Sequence, residues 1–145
     1  MFKISYSPNL KGEVIISWSK NAALPIISAN YLIDKKIQLT NKPLISDVEN
    51  IEKLAEYALA NSTSYFDLTS ELATKFRASI LLIPVGLKKF WEVRFVGSGG
   101  CKIGKRPLDT FDDALIKAGV QITKWEYKTF KVVDKPKRNI MLQEF

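Results

Sequence analysis

The sequence contains no histidine and a single cysteine, Cys101, among its 145 residues. Without histidine a Ser-His-Asp catalytic triad is excluded, and a zinc site would lack its commonest nitrogen ligand. A single cysteine cannot form an internal disulfide, which is typical of proteins from a reducing compartment. We therefore expect neither a metal nor another cofactor, and the thiol becomes the first candidate for chemistry.

Long hydrophobic runs are also missing. No apolar run reaches the roughly 18 residues that a membrane-spanning helix needs, and residues 1–5 lack the features of a signal peptide. The chain is 46% hydrophobic, which is the apolar content of one globular domain with a core of its own. The composition predicts a cytoplasmic protein that makes no membrane contact.

Acidic residues are in the minority, because 22 Lys and Arg face 15 Asp and Glu and the net charge is +7. Such a balance favours polyanionic partners: nucleic acids, nucleotides or phosphorylated metabolites. The cations are scattered along the chain, whereas nucleic-acid-binding proteins usually gather them on one face. Nucleic acid is therefore the least favoured of the three partners.

The richest stretch in the chain is the glycine loop, residues 99–109. It holds Cys101, three glycines and three cations within eleven residues. A thiol beside lysines and an arginine lies in the electropositive setting of reactive cysteines, although a lone cysteine can equally be a small buried hydrophobe. The residues alone leave both interpretations open.

Two cations stand where a predicted helix could present them to a ligand. The run at 11–17 is β-branched and predicts a strand, and a helix, apolar on nearly all sides, follows from about Asn21 to Ile33 with Pro25 near its first turn. Lys20 would lie beside the N-terminal N–H groups, which attract anions. Arg77 falls inside a long apolar helix and needs a partner or a ligand if it is buried. For each residue an ordinary solvent-exposed position is the alternative.

The remaining periodicities predict an α/β fold, in the α+β sense, built from βαβαββ-like units. The predicted elements are a strand at 36–40, a helix from Ser46, a strand at 65–68, a long helix from Thr69 or Ser70 to Ile83 ended by Pro84 and Gly86, a strand at 92–96, a helix at 109–118 ended by Gly119, a hairpin at 120–123 and 127–133, and a last strand at 139–142.

Four motifs, in their order and spacing, resemble those of the UDP-N-acetylglucosamine 1-carboxyvinyltransferases within the enolpyruvyl transferase family. They are Lys11-Gly12-Glu13-Val14, Ser17-x-Ser19-Lys20-Asn21-Ala22-Ala23-Leu24-Pro25, Arg77-Ala78-Ser79-Ile80 and Gly99-Gly100-Cys101-x-Ile103-Gly104-x-Arg106-Pro107-x-Asp109. The resemblance implies an incomplete inside-out α/β barrel domain. Residues 1–17 would form a strand belonging with a missing second domain, and residues 18–145 would form part of the first domain.

The resemblance also implies a reaction. The family transfers the enolpyruvyl group of phosphoenolpyruvate to the 3-hydroxyl of UDP-N-acetylglucosamine, the first committed step of peptidoglycan synthesis. By motif, the catalytic residues would be Cys101, as the proton donor and the target of fosfomycin, together with Lys20 and Asp47. Lys20 and Asn21 would contact both substrates. The other implied site residues are Asp47 at the sugar-nucleotide site, Arg77 and Arg106 at anionic groups, and Arg106, Pro107, Leu108, Asp109 and Thr110 beside the uridine.

The chain departs from the family pattern at several points. Phe111 stands where the family often has histidine, and Leu81 where tryptophan can occur. The sequence ends at Phe145, before a nucleotide-binding loop and the whole second domain, so we expect the 145 residues alone to be inactive or nearly so. A basic module that binds nucleotides or nucleic acid, and an inactive remnant, are the competing interpretations.

All three tryptophans, Trp18, Trp91 and Trp125, stand where the family pattern or simple turn chemistry calls for glycine. One hypothesis is that these codons are UGA, decoded as glycine in the source organism. Ordinary substitution is the alternative. A bulky side chain in a glycine conformation would cost stability.

Overall fold

The computed structural model describes residues 2–6, 8–9, 11–35, 37–97, 99 and 107–133. Within these ranges the elements are α1 (Lys20–Asn30), α2 (Ser46–Asn61), β1 (Phe66–Leu68), α3 (Glu71–Lys75), a 3₁₀ helix (Arg77–Leu82), α4 (Ile83–Phe90), β2 (Glu92–Phe95), α5 (Asp109–Lys117), β3 (Val120–Lys124) and β4 (Lys128–Val132). The predicted α/β class is confirmed, and closure into a barrel stays a prediction.

The four strands form one mixed sheet in the order β1-β2-β4-β3. β1 and β2 are parallel, whereas β4 is antiparallel to both β2 and β3. The register aligns Phe66, Val93, Phe130 and Ile122 in one row across the sheet. Because strand side chains alternate between faces, this row gives the sheet one apolar face, and the first three of its residues are fully or almost fully buried.

The helices supply the other half of the core. α1 contributes Ala23, Leu24 and Ile27, and α2 contributes an apolar stripe at helical spacing that includes Ile51 and Leu54. α4 lies close to β1, since a Cβ on Gly86 would be 2.4 Å from Cδ1 of Phe66. The helix layer and the apolar sheet face thus share one core.

The strand predicted at 36–40 is wrong over the described residues 37–40, and the run at 11–17 forms no strand among the described residues. Residues 11–19 and 37–40 lie in no helix or strand, and Val14, Ile15 and Ile16 are at least three-quarters exposed. A β-branched run becomes a strand only where a neighbour accepts its hydrogen bonds, and no strand of the described residues runs beside residues 11–17. At Ile37 a side chain replaces the neighbour, because Asn30 Oδ1 and Nδ2 each bond the Ile37 backbone at 2.9 Å.

The predicted long helix from residues 69–70 to 83 is also wrong. It is interrupted at Phe76, whose φ of −143° and ψ of 148° are extended. Pro84 and Gly86, expected to end the helix, lie inside α4. Pro84 is in the first turn of α4, where a missing N–H costs nothing, and Gly86 is where the helix approaches Phe66.

The first helix is less buried than predicted. α1 ends at Asn30, and its outer side, which includes Ala22, Pro25 and Ile26, is exposed. Pro25 lies in the interior of the helix and not in its first turn, so it removes the hydrogen bond to the Asn21 carbonyl. That carbonyl belongs to an exposed residue, where water can bind it.

The C-terminal part follows the prediction closely. α5 ends before Gly119, which has a φ of 93°, the left-handed conformation that glycine adopts easily. The hairpin β3–β4 turns at residues 125–127, where the Trp125 N–H donates to the Tyr127 carbonyl at 3.2 Å. The strand predicted at 139–142 lies outside the described residues.

Trp91 occupies a glycine conformation. It caps the C-terminus of α4 with a φ of 65°, and its N–H donates to the Leu87 carbonyl at 3.2 Å. Of the three tryptophans, Trp91 alone has φ in the left-handed region. The left-handed conformation costs a residue with a Cβ about 1 to 2 kcal/mol, so at this position the backbone itself favours glycine.

We expect Trp91→Gly to raise the free energy of unfolding by about 1 kcal/mol, because it removes the left-handed penalty. Trp91 is 58% exposed, so little packing is lost. Urea denaturation measures the change. Trp125→Gly is the matched control, because Trp125 is 92% exposed and does not have a positive φ; it should give no gain. A W91G variant less stable than W125G would contradict the interpretation.

Candidate functional site

The N-terminus of α1 presents Lys20 and Asn21 to solvent. Ser19 caps the helix, since its Oγ accepts from the Ala22 N–H at 3.2 Å, and its carbonyl accepts from the Ala23 N–H at 2.9 Å. Lys20 and Asn21, the first two helical residues, are exposed. Their N–H groups precede the first intrahelical bond, and the positive end of the helix dipole lies with them.

Asp47 lies beside this terminus. It is in the first turn of α2, and its Oδ2 is 3.0 Å from Nζ of Lys20. The two residues, 27 positions apart in the sequence, are thus brought together. Their side chains are 33% and 51% exposed, and an ion pair so accessible to water contributes little to stability. The main effect of the pair is therefore on the position of the Lys20 ammonium.

Arg77 begins the 3₁₀ helix and is half-buried. The start of the glycine loop packs against the end of α3, because a Cβ on Gly99 would lie 1.7 Å from the Thr74 carbonyl oxygen and 3.2 Å from the Lys75 carbonyl carbon. Only glycine fits there without moving backbone. Gly99, at the start of the loop that leads to Cys101, therefore contacts the backbone of residues that precede Arg77 by two and three positions.

The other end of the loop leads into α5. Pro107 is exposed, Leu108 is the half-buried N-cap of the helix, and Asp109 and Thr110 are its exposed first residues. The helix is held on the sheet by an ion pair from Asp112 to Lys128 of β4, whose side chains are 13% and 16% exposed. Cys101 and Arg106 lie outside the described residues, so their roles stay predictions.

The sequence analysis did not single out Asn41, which forms hydrogen bonds to the residues that lead into α1. Its φ is 56°, its carbonyl accepts from the Trp18 N–H at 3.3 Å, and its Nδ2 donates to the Ile16 carbonyl at 2.9 Å. Asparagine tolerates the left-handed region better than most residues. The residues Asn41-Lys42-Pro43 are typical of a turn, but the contact of Asn41 with residues 16–18 depends on the fold.

A small cavity of about 190 Å³ lies between α1, α2 and residues 37–42. It is lined by Ile27, Asn30, Tyr31, Ile37, Leu39, Lys42, Glu52 and Glu56. Burial raises the pKa of Tyr31 to about 12, and the carboxylates of Glu56 and Glu52 add to the rise because they oppose a second negative charge. Lys42 forms an ion pair with Glu52 at the rim.

Tyr31 makes stability depend on pH at the alkaline end. Between pH 10 and about 12 the unfolded chain releases the Tyr31 proton while the folded chain keeps it, so the free energy of unfolding falls as the pH rises. We expect Tyr31→Phe to show a shallower fall across this window in urea denaturation. Tyr57→Phe, at an exposed tyrosine of α2, is the control. Identical slopes for wild type and Y31F would contradict the assignment.

None of the helices in the described ranges combines the length and the apolar composition that crossing a membrane requires. In the same part of the chain no group of three or more His, Cys, Asp or Glu residues is placed to hold a metal ion. The N-termini of α1 and α2 meet at the Lys20–Asp47 ion pair.

Comparisons with known proteins agree on one relationship. A family model described as EPSP synthase (3-phosphoshikimate 1-carboxyvinyltransferase) matches residues 4–143. Three similar proteins are named UDP-N-acetylglucosamine 1-carboxyvinyltransferase. The one from Buchnera aphidicola subsp. Baizongia pistaciae is 37% identical, that from Lawsonia intracellularis 38%, and that from Helicobacter hepaticus 34%.

The match covers most of this chain and a minor part of each relative. It takes in 83%, 79% and 83% of this chain, and 32%, 30% and 32% of the respective relative. The chain thus spans about a third of the length of the curated relatives it matches.

Proposed function

Since the chain belongs to the EPSP synthase family of enolpyruvyl transferases, we propose that it supplies part of the active site of a UDP-N-acetylglucosamine 1-carboxyvinyltransferase. The reaction transfers the enolpyruvyl group of phosphoenolpyruvate to the 3-hydroxyl of UDP-N-acetylglucosamine and releases phosphate. The relatives at 34–38% identity carry the name of this activity, and this likeness favours the cell-wall reaction over the shikimate reaction in the family's description.

One structural observation supports the proposal above the others: Lys20 and Asn21 lie exposed at the capped N-terminus of α1. Phosphoenolpyruvate carries a phosphate and a carboxylate. A helix N-terminus binds anions through its N–H groups and dipole, and a lysine adds a compact positive charge. The same fixed positive groups would stabilise the charge that develops as phosphate leaves.

The remaining assignments follow the family motifs. We propose Cys101 as the donor of a proton to the methylene carbon of phosphoenolpyruvate, which makes the neighbouring carbon electrophilic. The 3-hydroxyl oxygen then bonds to that carbon and gives its proton to a base. The carbon–oxygen bond to phosphate breaks, and phosphate leaves with that proton. Return of one proton from the new methyl group to the Cys101 thiolate restores both the vinyl group and the thiol. Arg77 and Arg106 would bind anionic groups, Asp47 would lie at the sugar-nucleotide site, and Pro107 to Thr110 would border the uridine.

We further propose that a second domain completes the site. Residues 1–17 would pair with that domain, which accords with the exposure of Val14, Ile15 and Ile16. Closure of two domains over a substrate excludes water and aligns reacting groups. The 145 residues alone would therefore be inactive or nearly so.

In the cell, this activity would be the first committed step of peptidoglycan synthesis, and it would take place in the cytoplasm. Through the cell wall it would support cell shape, the cell cycle and cell division. Cys101 would be the residue that fosfomycin alkylates. No cofactor enters the proposed chemistry.

The proposal is tested by phosphate release from phosphoenolpyruvate, measured with the chain alone and with the chain joined to the remaining two thirds of a relative. We expect release by the joined protein only, and only when UDP-N-acetylglucosamine is present. Shikimate 3-phosphate is the matched control acceptor. Phosphate release with shikimate 3-phosphate in place of the sugar nucleotide would assign the sister reaction. If the joined protein released no phosphate with either acceptor, the proposal would be contradicted.

A further inference from the structure

The segment of residues 41–47, here called the 41–47 segment, touches the approach to α1 at one end and Lys20 at the other. At its first residue, Asn41 forms two hydrogen bonds to the chain before the cap: one to the Trp18 N–H and one to the Ile16 carbonyl. At its last residue, Asp47 forms the ion pair with Lys20 at 3.0 Å. The two contacts flank the N-cap Ser19.

The middle of the segment is fixed to α2. Lys42 forms an ion pair with Glu52 of α2, and Pro43 is buried. The Ile45 N–H donates to the Pro43 carbonyl at 3.1 Å, and α2 begins one residue later. The Lys42–Glu52 ion pair and the direct continuation of the chain into α2 thus link Asn41 and Asp47 to the same helix.

The two contacts at the ends are poor candidates for a purely structural role. Asn41 has a left-handed backbone, which is a strained conformation that tends to occur at functional sites. The Lys20–Asp47 pair is exposed, where ion pairs contribute little stability. A lysine at the positive end of a helix dipole is unfavourably placed unless an anion lies beside it, and Asp47 supplies that anion. Both features act on the same place, the N-terminus of α1.

We propose that the 41–47 segment positions Lys20 for an anionic substrate, with Asn41 holding the backbone that leads into α1 and Asp47 holding the ammonium. The inference rests on the proposed function and adds Asn41, which no family motif assigns. It also gives Asp47 a role that it exerts through Lys20, separate from any contact of Asp47 with the sugar nucleotide. Asn41 and Asp47 are thus positioning residues, and Lys20 is the group that would touch phosphoenolpyruvate.

The first test measures how fast the Lys20 amine is acylated in the 145-residue chain. Acetic anhydride at low extent acylates lysines, and peptide mass spectrometry gives the rate at each one. Loss of the partner carboxylate in Asp47→Asn should speed modification of Lys20 roughly two- to five-fold, as expected for an exposed ion pair. Asp47→Glu should restore most of the protection. Glu49→Gln, which removes the partner of Lys53 on the same helix, is the matched control and should change Lys53 only.

The second variant separates positioning from stability. Asn41→Gly keeps the left-handed backbone and removes the hydrogen bond to the Ile16 carbonyl. If Asn41 serves only to form the turn, the variant should be equally or more stable, and the rate of Lys20 modification should not change. A positioning role predicts faster Lys20 modification at an unchanged urea midpoint. Asn61→Ala removes an asparagine that bonds the Tyr57 carbonyl at the far end of α2, and it should leave Lys20 unaffected.

Phosphoenolpyruvate connects the test to function. In wild type it should slow Lys20 modification, and the concentration for half-protection should rise about five-fold in D47N and N41G, as for the loss of one hydrogen bond. Lys20 rates and half-protection in both variants equal to those of wild type would overturn the inference. Faster Lys20 modification in both variants, with no protection by phosphoenolpyruvate in any of them, would support the positioning of Lys20 and count against the proposed function.

Discussion

Replacing Lys20 by methionine is expected to lower kcat/KM for phosphoenolpyruvate by at least about a hundred-fold in a protein that joins this chain to a second domain. Methionine keeps an unbranched stem of similar length and removes only the charge. Deleting one fixed group that stabilises developing negative charge typically costs a factor of 10² to 10³. Lys20 lies at the N-terminus of α1, so its ammonium and the helix dipole would act on the same anion.

The matched control for this prediction is Lys53→Met. Lys53 is an exposed lysine of α2 whose ammonium is paired with Glu49 at 3.5 Å, and its replacement should change kcat/KM by less than about two-fold. Lys20→Arg keeps the charge but not the compact ammonium, and it should fall between the two. A K20M variant as active as K53M would remove Lys20 from the site.

Replacing Gly86 by alanine is expected to lower the free energy of unfolding by about 3 kcal/mol, near the upper end for overpacking of a core. The added Cβ would lie 2.4 Å from Cδ1, 2.6 Å from Cβ and 2.6 Å from Cγ of Phe66. Phe66 cannot simply rotate away, because it is fully buried and its ring stacks on Phe90 with centroids 5.6 Å apart. α4 or β1 must shift instead.

Urea denaturation measures this change, and Gly12→Ala is the matched control. No heavy atom lies within 4 Å of a Cβ built on Gly12, so G12A should alter the unfolding free energy by less than about 0.5 kcal/mol, as surface substitutions do. Equal stability of G86A and G12A would mean that α4 does not pack on β1 as described.

The elements that the sequence predicted well are those whose signals are local. The hairpin β3–β4 combines two alternating runs with a short polar turn, and α5 has an acidic first turn and a glycine stop. The helix from Ser46 likewise shows its buried stripe at helical spacing. In each case the contacts that decide the structure lie within a few residues of one another.

The failures come from contacts that lie far apart in sequence. The run at 11–17 has strand composition but no neighbouring strand among the described residues, and composition cannot reveal a missing partner. The helix predicted through Phe76 is interrupted because Phe76 takes an extended backbone while its side chain stays buried. Gly86 appeared to be a helix breaker, whereas its real role is to let α4 approach Phe66.

The site shows the same division. The motif around Lys20 and Asn21 predicted a helix N-terminus, and the structure forms it there. The resemblance implied Asp47, and its contact with Lys20 emerged only from the packing of α1 on α2. Asn41 carried no chemical signal in the sequence, because its importance lies in where its backbone turns and what it touches.

The most direct test of the enolpyruvyl transferase site is fosfomycin labelling of Cys101, followed by peptide mass spectrometry. The protein is this chain joined to the second domain of a relative, incubated with and without UDP-N-acetylglucosamine. We predict one fosfomycin adduct, located on Cys101, that forms faster when the sugar nucleotide is present. A folded protein in which Cys101 stays unmodified under both conditions would contradict the assignment of this chain to that active site.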